Sequence, residues 1–163
     1  MLQQYTTSGA LDTNFGSAGT TSILFGDFYS DKNAAVLQPD GKIVVAGTTA
    51  FANENGAYLF ATARFNANGS LDTGFGIDGK VTSLIDNSCS ASAIFIQPDG
   101  KIIVAGKSYN AGVNFSSIRY NTNGTLDQTY GSEGKISSQL ADYLYDVVNS
   151  IWDNWFTKVQ KIT

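Results

Sequence analysis

The chain has 163 residues, of which 42% are hydrophobic and only 15% are charged, and this balance excludes a largely disordered chain. The length suits a single domain with a substantial core. The net charge of −4 without a basic cluster argues against binding to a nucleic-acid backbone, and the lack of histidine removes the commonest general base and metal ligand.

Three copies of one cassette run along the chain with the order Gly-x-Leu-Asp, two further residues, an aromatic residue and Gly. They read GALDTNFGSAG at 9–19, GSLDTGFGIDG at 69–79 and GTLDQTYGSEG at 124–134, so their leucines are 60 and 55 residues apart. Tyr5, Phe65 and Tyr120 precede the cassettes at one common position. Self-similarity at a fixed period predicts a repeat architecture.

Between the cassettes a second motif occurs twice, as QPDGKIVVAG at 38–47 and QPDGKIIVAG at 97–106. Proline fixes the first corner of a turn, and Gly41 and Gly100 allow a positive φ. The apolar run that follows is continuous rather than alternating, which is typical of a strand covered on both faces.

One repeat unit therefore contains four predicted strands: a short one at 80–84, one ending at Gln97, one at 101–107 and one at 115–120. In this interpretation the cassette leads from the fourth strand to the next unit. Its leucine and aromatic residue fill the gap between units, while its aspartate caps loop amides. The fold class predicted for residues 1–136 is mainly β, with antiparallel four-stranded blades of the propeller type.

From residue 137 the period changes. Helical spacing of the apolar residues predicts a C-terminal amphipathic helix over 137–163, with Ser137 or Ser138 as its N-cap. The apolar residues at this spacing are Leu140, Tyr143, Leu144, Val147, Val148, Ile151, Trp155, Val159 and Ile162. The alternative is a degenerate third blade, with strands at 146–152 and 155–162 and a missing strand supplied by residues 2–6.

The combination of NGSLDTGFG and QPDGKIVVAG resembles the bacterial delta-sixty repeat over about residues 3–135. The resemblance implies a propeller-type fold, suggests an extracellular or cell-surface location and transfers no catalytic residue. No signal peptide is visible in residues 1–4. Because proteins of this family usually carry many repeats and this chain has about two and a fraction, a fragment of a larger surface repeat protein is one interpretation.

The leading functional hypothesis is a non-catalytic structural or protein-interaction module that forms a propeller-like assembly by oligomerisation or by docking to a partner. Two blades cannot close a ring, and each blade buries its faces only against neighbours. Candidate assembly residues are Tyr5 and, in the tail, Leu144, Val148, Ile151, Trp152, Trp155 and Phe156.

The alternative hypothesis is carbohydrate binding between blades. Tyr58, Tyr109 and Phe115 lie in or beside the least regular segments, and aromatic side chains suit sugar rings. Arg64 and Arg119 occupy one repeat position and are a candidate ligand-binding pair, although a charge whose stem packs on the neighbouring blade is the simpler interpretation. We expect no catalytic residue, metal site or cofactor, because the repeated aspartates are explained as turn caps.

Overall fold

The computed structural model describes residues 1–25, 29–50 and 56–139. Within these residues the regular structure is entirely β. The strands are β1 Leu2–Gln3, β2 Thr20–Thr21, β3 Tyr29–Leu37, β4 Ile43–Ala50, β5 Tyr58–Phe65, β6 Lys80–Ser83, β7 Ser88–Ile96, β8 Ile102–Tyr109, β9 Val113–Tyr120 and β10 Lys135–Gln139.

The strands form two four-stranded sheets and a short hairpin, all antiparallel. The first blade has the order β3-β4-β5-β6, the second blade has the order β10-β9-β8-β7, and β1 and β2 form the N-terminal hairpin. Leu2 pairs with Thr21 in the hairpin as Thr62 pairs with Val81 in the first blade. These positions differ by 60 residues in both strands, so the hairpin corresponds to the last two strands of a blade.

The four predicted strands of the repeat are present, but they are grouped differently from the expectation. Strand β6 pairs with β5 and completes the first blade, so it does not open the second. The cassette between them therefore connects two strands of one blade. It is held there because Leu71 bridges to Phe65 and the Asp72 amide donates to the Arg64 carbonyl.

Two apolar cores lie on opposite faces of the first blade. Val44 belongs to the core between the blades, whereas Val45 belongs to the smaller core beneath the N-terminal hairpin. Strand β4 is therefore covered on both faces, as its continuous apolar run predicts. The core between the blades is formed by Val44, Ala46, Phe60, Phe75, Ile85, Cys89, Ala91, Ile94, Ile102, Val104, Ile118 and Tyr120.

The predicted C-terminal helix is wrong, and the fold class is corrected from β with a helix to all-β in the described residues. Ser137 and Ser138 do not cap a helix, because they lie in β10 and pair with Ser116 and Phe115 of β9. The free edge of β9 offers these residues a complete ladder of backbone hydrogen bonds, which a helix beginning here would break. The rest of the predicted helix, residues 140–163, lies outside the described residues.

In the part of the chain that the structure describes, no helix has the length and apolar character needed to cross a membrane.

Candidate functional site

A close backbone contact joins the cassette of the first blade to a turn of the second. The Gly76 amide donates to the Asn123 carbonyl at 2.8 Å, and Phe75 beside it is fully buried. Gly124 has a φ of +86°, and a Cβ there would lie 2.7 Å from the Gly76 nitrogen. The turn therefore needs glycine both for its backbone conformation and for its approach to the cassette.

The same contact joins the N-terminal hairpin to the first blade. The Gly16 amide donates to the Asn68 carbonyl at 2.7 Å, and Phe15 is buried. Gly69 has a φ of +84°, and a Cβ there would lie 2.8 Å from the Gly16 nitrogen. We call this arrangement the turn-on-cassette contact: a turn glycine of one unit lies on the aromatic residue and glycine of the preceding cassette.

An ion-pair cluster accompanies the contact in the first blade. Asp72 Oδ2 lies 2.6 Å from Arg64 Nε and 2.9 Å from Lys42 Nζ, and the Arg64 guanidinium lies 4.7 Å from the centre of the Phe75 ring. Arg64 also donates to the Thr122 carbonyl of the second blade. This arginine therefore holds its own cassette and reaches the next unit at the same time.

Electrostatics keep the Asp72 carboxylate ionised. Burial alone would raise the pKa of Asp72, but hydrogen bonds from Lys42, Arg64 and the Gly74 amide outweigh it and lower the pKa below its usual value. The Gly74 amide donates to Asp72 Oδ1 at 3.1 Å, so the expected capping role of the cassette aspartate is present. The ion pair with Arg64 adds a second role to that cap.

The second blade repeats this cluster. Asp127 Oδ2 lies 2.7 Å from Arg119 Nε and 2.8 Å from Lys101 Nζ, and the Arg119 guanidinium lies 4.7 Å from the centre of the Tyr130 ring. Hydrogen bonds from Lys101 and Thr129 hold the pKa of Asp127 well below its usual range. Both blades thus present the same charged and aromatic surface, on the face directed away from the N-terminal hairpin.

A lysine of each outer strand forms a second repeated link between units. Lys80 Nζ donates to the Leu24 carbonyl at 3.0 Å, and Lys135 Nζ donates to the Leu84 carbonyl at 2.9 Å. Each lysine reaches back to the preceding unit at one repeat position, because Leu24 and Leu84 are 60 residues apart, like the leucines of their cassettes. The two interfaces therefore share the turn-on-cassette contact and this lysine link.

The outer face of the second blade carries the parts of a further interface. Ile102 and Val104 belong to the core between the blades, so the intervening Ile103, which is half-buried, points to the opposite face. Ile103 pairs with Arg119 as Val44 pairs with Arg64. This outer face therefore repeats the face by which the first blade packs on the second.

The candidate carbohydrate residues lie at the end of the sheets away from the QPDGK turns. Tyr58 and Tyr109 are 45% and 46% exposed, and both lie beside Ser88. The Tyr58 amide donates to Ser88 Oγ at 3.1 Å, and Ser88 pairs with Tyr109. Phe115 is half-buried in β9 opposite Lys107, so the structure does not group it with Arg64. Carbohydrate binding stays a prediction.

The candidate assembly residues are only partly described. Tyr5 is 58% exposed and bridges to Leu11 in the N-terminal hairpin. Leu144, Val148, Ile151, Trp152, Trp155 and Phe156 lie outside the described residues.

A cleft of about 1010 Å³ opens between the two QPDGK turns and is lined by Pro39, Pro98 and Arg64 among other residues. Gln38 and Gln97 also border it, and the Oε1 atom of each is buried without a hydrogen-bond partner among the described residues. The two atoms occupy one repeat position. Within the described residues no three metal-ligating side chains lie together.

Sequence reasoning missed the turn-on-cassette contact, although its parts were visible. The three cassettes and the three turns align, and glycine recurs at 9, 69 and 124 in the turns and at 16, 76 and 131 after the aromatic residue. That recurrence was the available signal. Local turn chemistry explains each glycine separately, whereas the pairing of a turn with the preceding cassette emerges only when the blades are stacked.

Two antiparallel four-stranded sheets that stack face to face and repeat with the sequence define a β-propeller-type module. The family described as "Domain of unknown function (DUF5122) beta-propeller" matches residues 38–75 and 97–130, one segment in each blade. This is the delta-sixty type of repeat, so that recognition is confirmed, and the two matched segments are consistent with a couple of repeats. No curated protein and no solved structure matched the chain.

Proposed function

We propose that the chain is a non-catalytic structural module that builds a propeller-like assembly by docking the outer face of its second blade onto a further blade in another chain. One observation carries the proposal: at three central positions this outer face repeats the face by which the first blade packs on the second. Ile103 takes the place of Val44, Arg119 that of Arg64 and Tyr130 that of Phe75.

The energetics of stacking support this role. Removing apolar surface from water contributes roughly 25 cal/mol per Å² to the free energy of association. In the first blade, packing against the second blade leaves Val44 and Phe75 fully buried. The charged cluster around Asp127 already has its internal partners, so docking need not desolvate an unpaired charge. The carboxylates of Asp72 and Asp127 act as turn caps and form ion pairs.

The proposal is tested with the variant Ile103→Lys, which places a charge in the middle of the outer face. We expect the full chain to sediment above its monomer mass of 17.4 kDa and the variant to return to it. Ile77→Lys is the matched control. Ile77 lies on the cassette and is 81% exposed, so this variant should assemble normally. A wild-type chain that stays at 17.4 kDa at every concentration, with Ile103→Lys indistinguishable from it, contradicts the proposal.

A further inference from the structure

We propose that the docking element is supplied by a second copy of this chain, whose N-terminal hairpin, the outer half of a blade, docks through its turn at residues 6–9 onto Tyr130 and Gly131 of the second blade. This inference rests on the proposed function and names the partner. The two halves of the turn-on-cassette contact occur separately in this chain. The hairpin has a turn without a described cassette, and the second blade has a cassette without a described turn.

The turn of the hairpin has the conformation of the two turns that dock inside the chain. The Gly9 amide donates to the Thr6 carbonyl at 2.9 Å, as Gly69 does to Asn66 and Gly124 to Asn121. The φ angles of the three glycines are +82°, +84° and +86°. A Cβ on Gly9, however, would meet no described atom within 4 Å. This turn therefore has the conformation of a docked turn, but no described cassette lies against it.

The cassette of the second blade has the conformation of the two cassettes that receive a turn. Gly131 has a φ of +57°, against +58° for both Gly16 and Gly76. Gly16 and Gly76 each donate their amide to a turn carbonyl, whereas no described acceptor receives the Gly131 amide. Tyr130 is half-buried, while Phe15 and Phe75 under their turns are 2% and 0% exposed.

The internal interfaces specify how the two halves meet. The Gly131 amide donates to the Ser8 carbonyl of the second copy, as Gly76 does to Asn123. Gly9 lies over the Tyr130 ring, as Gly124 lies over Phe75. The hydroxyl of Tyr130, which Phe75 lacks, is 2.8 Å from Ser117 Oγ within its own blade, so it does not obstruct the turn.

Arginine adds a further link. Arg64 donates to the carbonyl of Thr122, the residue two before Gly124. Arg119 is held by Asp127 in the same way and is positioned to donate to the carbonyl of Thr7, two residues before Gly9 in the second copy. The docked turn thus receives one backbone and one charge-assisted hydrogen bond, and the latter kind is the stronger.

One repeated link is missing at this interface. Thr20 of the hairpin occupies the position of Lys80 and Lys135, so no lysine reaches the Gln139 carbonyl, which corresponds to that of Leu84. Contact between copies is therefore weaker than contact between blades of one chain. Since the two surfaces differ, the association is head-to-tail and leads to a ring or an open chain of copies.

The test compares two glycine-to-asparagine variants of the full chain by sedimentation across a concentration series. Asparagine tolerates a positive φ, so Gly9→Asn preserves the turn but adds a side chain at the docking point. We expect it to raise the dissociation constant at least about tenfold. Gly56→Asn is the control, with a φ of +75° and no described atom within 4 Å of a Cβ, and it should leave the constant unchanged.

A gain-of-contact variant tests the same geometry without damaging the fold. Thr20→Lys restores the missing lysine and should lower the dissociation constant about tenfold, the effect of one added hydrogen bond to a charged group. Adding Gly9→Asn should cancel this gain.

The inference is overturned if Gly9→Asn associates as tightly as the wild type. If Ile103→Lys still abolishes assembly in that case, the proposed function stands and another blade is the occupant. If the wild type does not associate at all, both fail.

Discussion

At the scale of single residues, the cassette aspartates show one side chain doing two tasks. Asp72 caps its loop through one oxygen and pairs with Arg64 and Lys42 through the other. Asp12, at the same position in the N-terminal cassette, caps through Asn14, but Gln4 stands where the arginine would be. The cap is therefore general to the repeat, whereas the ion pair belongs to the two complete blades.

We expect these ion pairs to make the protein sensitive to acid. Because the pKa values of Asp72 and Asp127 are lower in the folded protein than in the unfolded chain, the unfolded chain binds more protons as the pH falls below about 4. The stabilisation is fully present above that pH and is lost progressively below it. The measurement is the free energy of unfolding by urea between pH 7 and pH 2.

Asp72→Asn should reduce this pH dependence and lower stability at pH 7 by about 3 kcal/mol, because it leaves the buried Arg64 without its charge partner. Asp12→Asn is the control. Asparagine can still cap the loop and no arginine depends on Asp12, so its stability should change little. Equal losses in the two variants would show that the ion pair contributes nothing beyond the cap.

At the scale of elements, the contact between a turn and the preceding cassette fixes how neighbouring blades stack. Strand pairing positions the turn of residues 121–124 at the end of β9, and the cassette of the first blade lies beneath it. Close packing requires the absence of a side chain on Gly124, which a local reading of the turn does not reveal.

Gly124→Ala should therefore destabilise the protein by more than Gly56→Ala. Both variants place alanine at a positive φ, which costs about 1 kcal/mol. Only Gly124→Ala also brings a Cβ to 2.7 Å from a backbone nitrogen, and forced overpacking of this kind costs typically 1–3 kcal/mol more. Thermal unfolding measures the difference. Equal melting temperatures would mean that the blades can shift at their interface to accommodate the added Cβ without loss of stability.

Sequence patterns predicted the strands better than the assignment of each strand to a blade. The QPDGK turns and the apolar runs after them locate β4 and β8, because Pro, Gly and β-branched residues determine local structure directly. The assignment of β6 to the first blade depends on long-range pairing with β5, which no local pattern encodes. At Ser137 the helical period of the following residues misled the prediction, since the free edge of β9 determines the conformation there.

At the scale of the whole molecule, the described residues form two complete blades and one hairpin that repeats the outer half of a blade. The Gly131 amide and the turn at Gly9 remain without described partners, and they are complementary because the same pair meets twice inside the chain. Because the two associating surfaces differ, the turn of the hairpin and the outer face of the second blade can be disabled by separate substitutions. That property provides the most direct test of the account.

The decisive measurement is the mass, by light scattering, of Gly9→Asn and Ile103→Lys alone and in an equimolar mixture. Gly9→Asn keeps the outer face of its second blade, and Ile103→Lys keeps its turn. We predict that each variant alone has a mass of 17.4 kDa, and that the mixture forms a one-to-one complex of 2 × 17.4 = 34.8 kDa that grows no further. A mixture that stays at 17.4 kDa would contradict head-to-tail association.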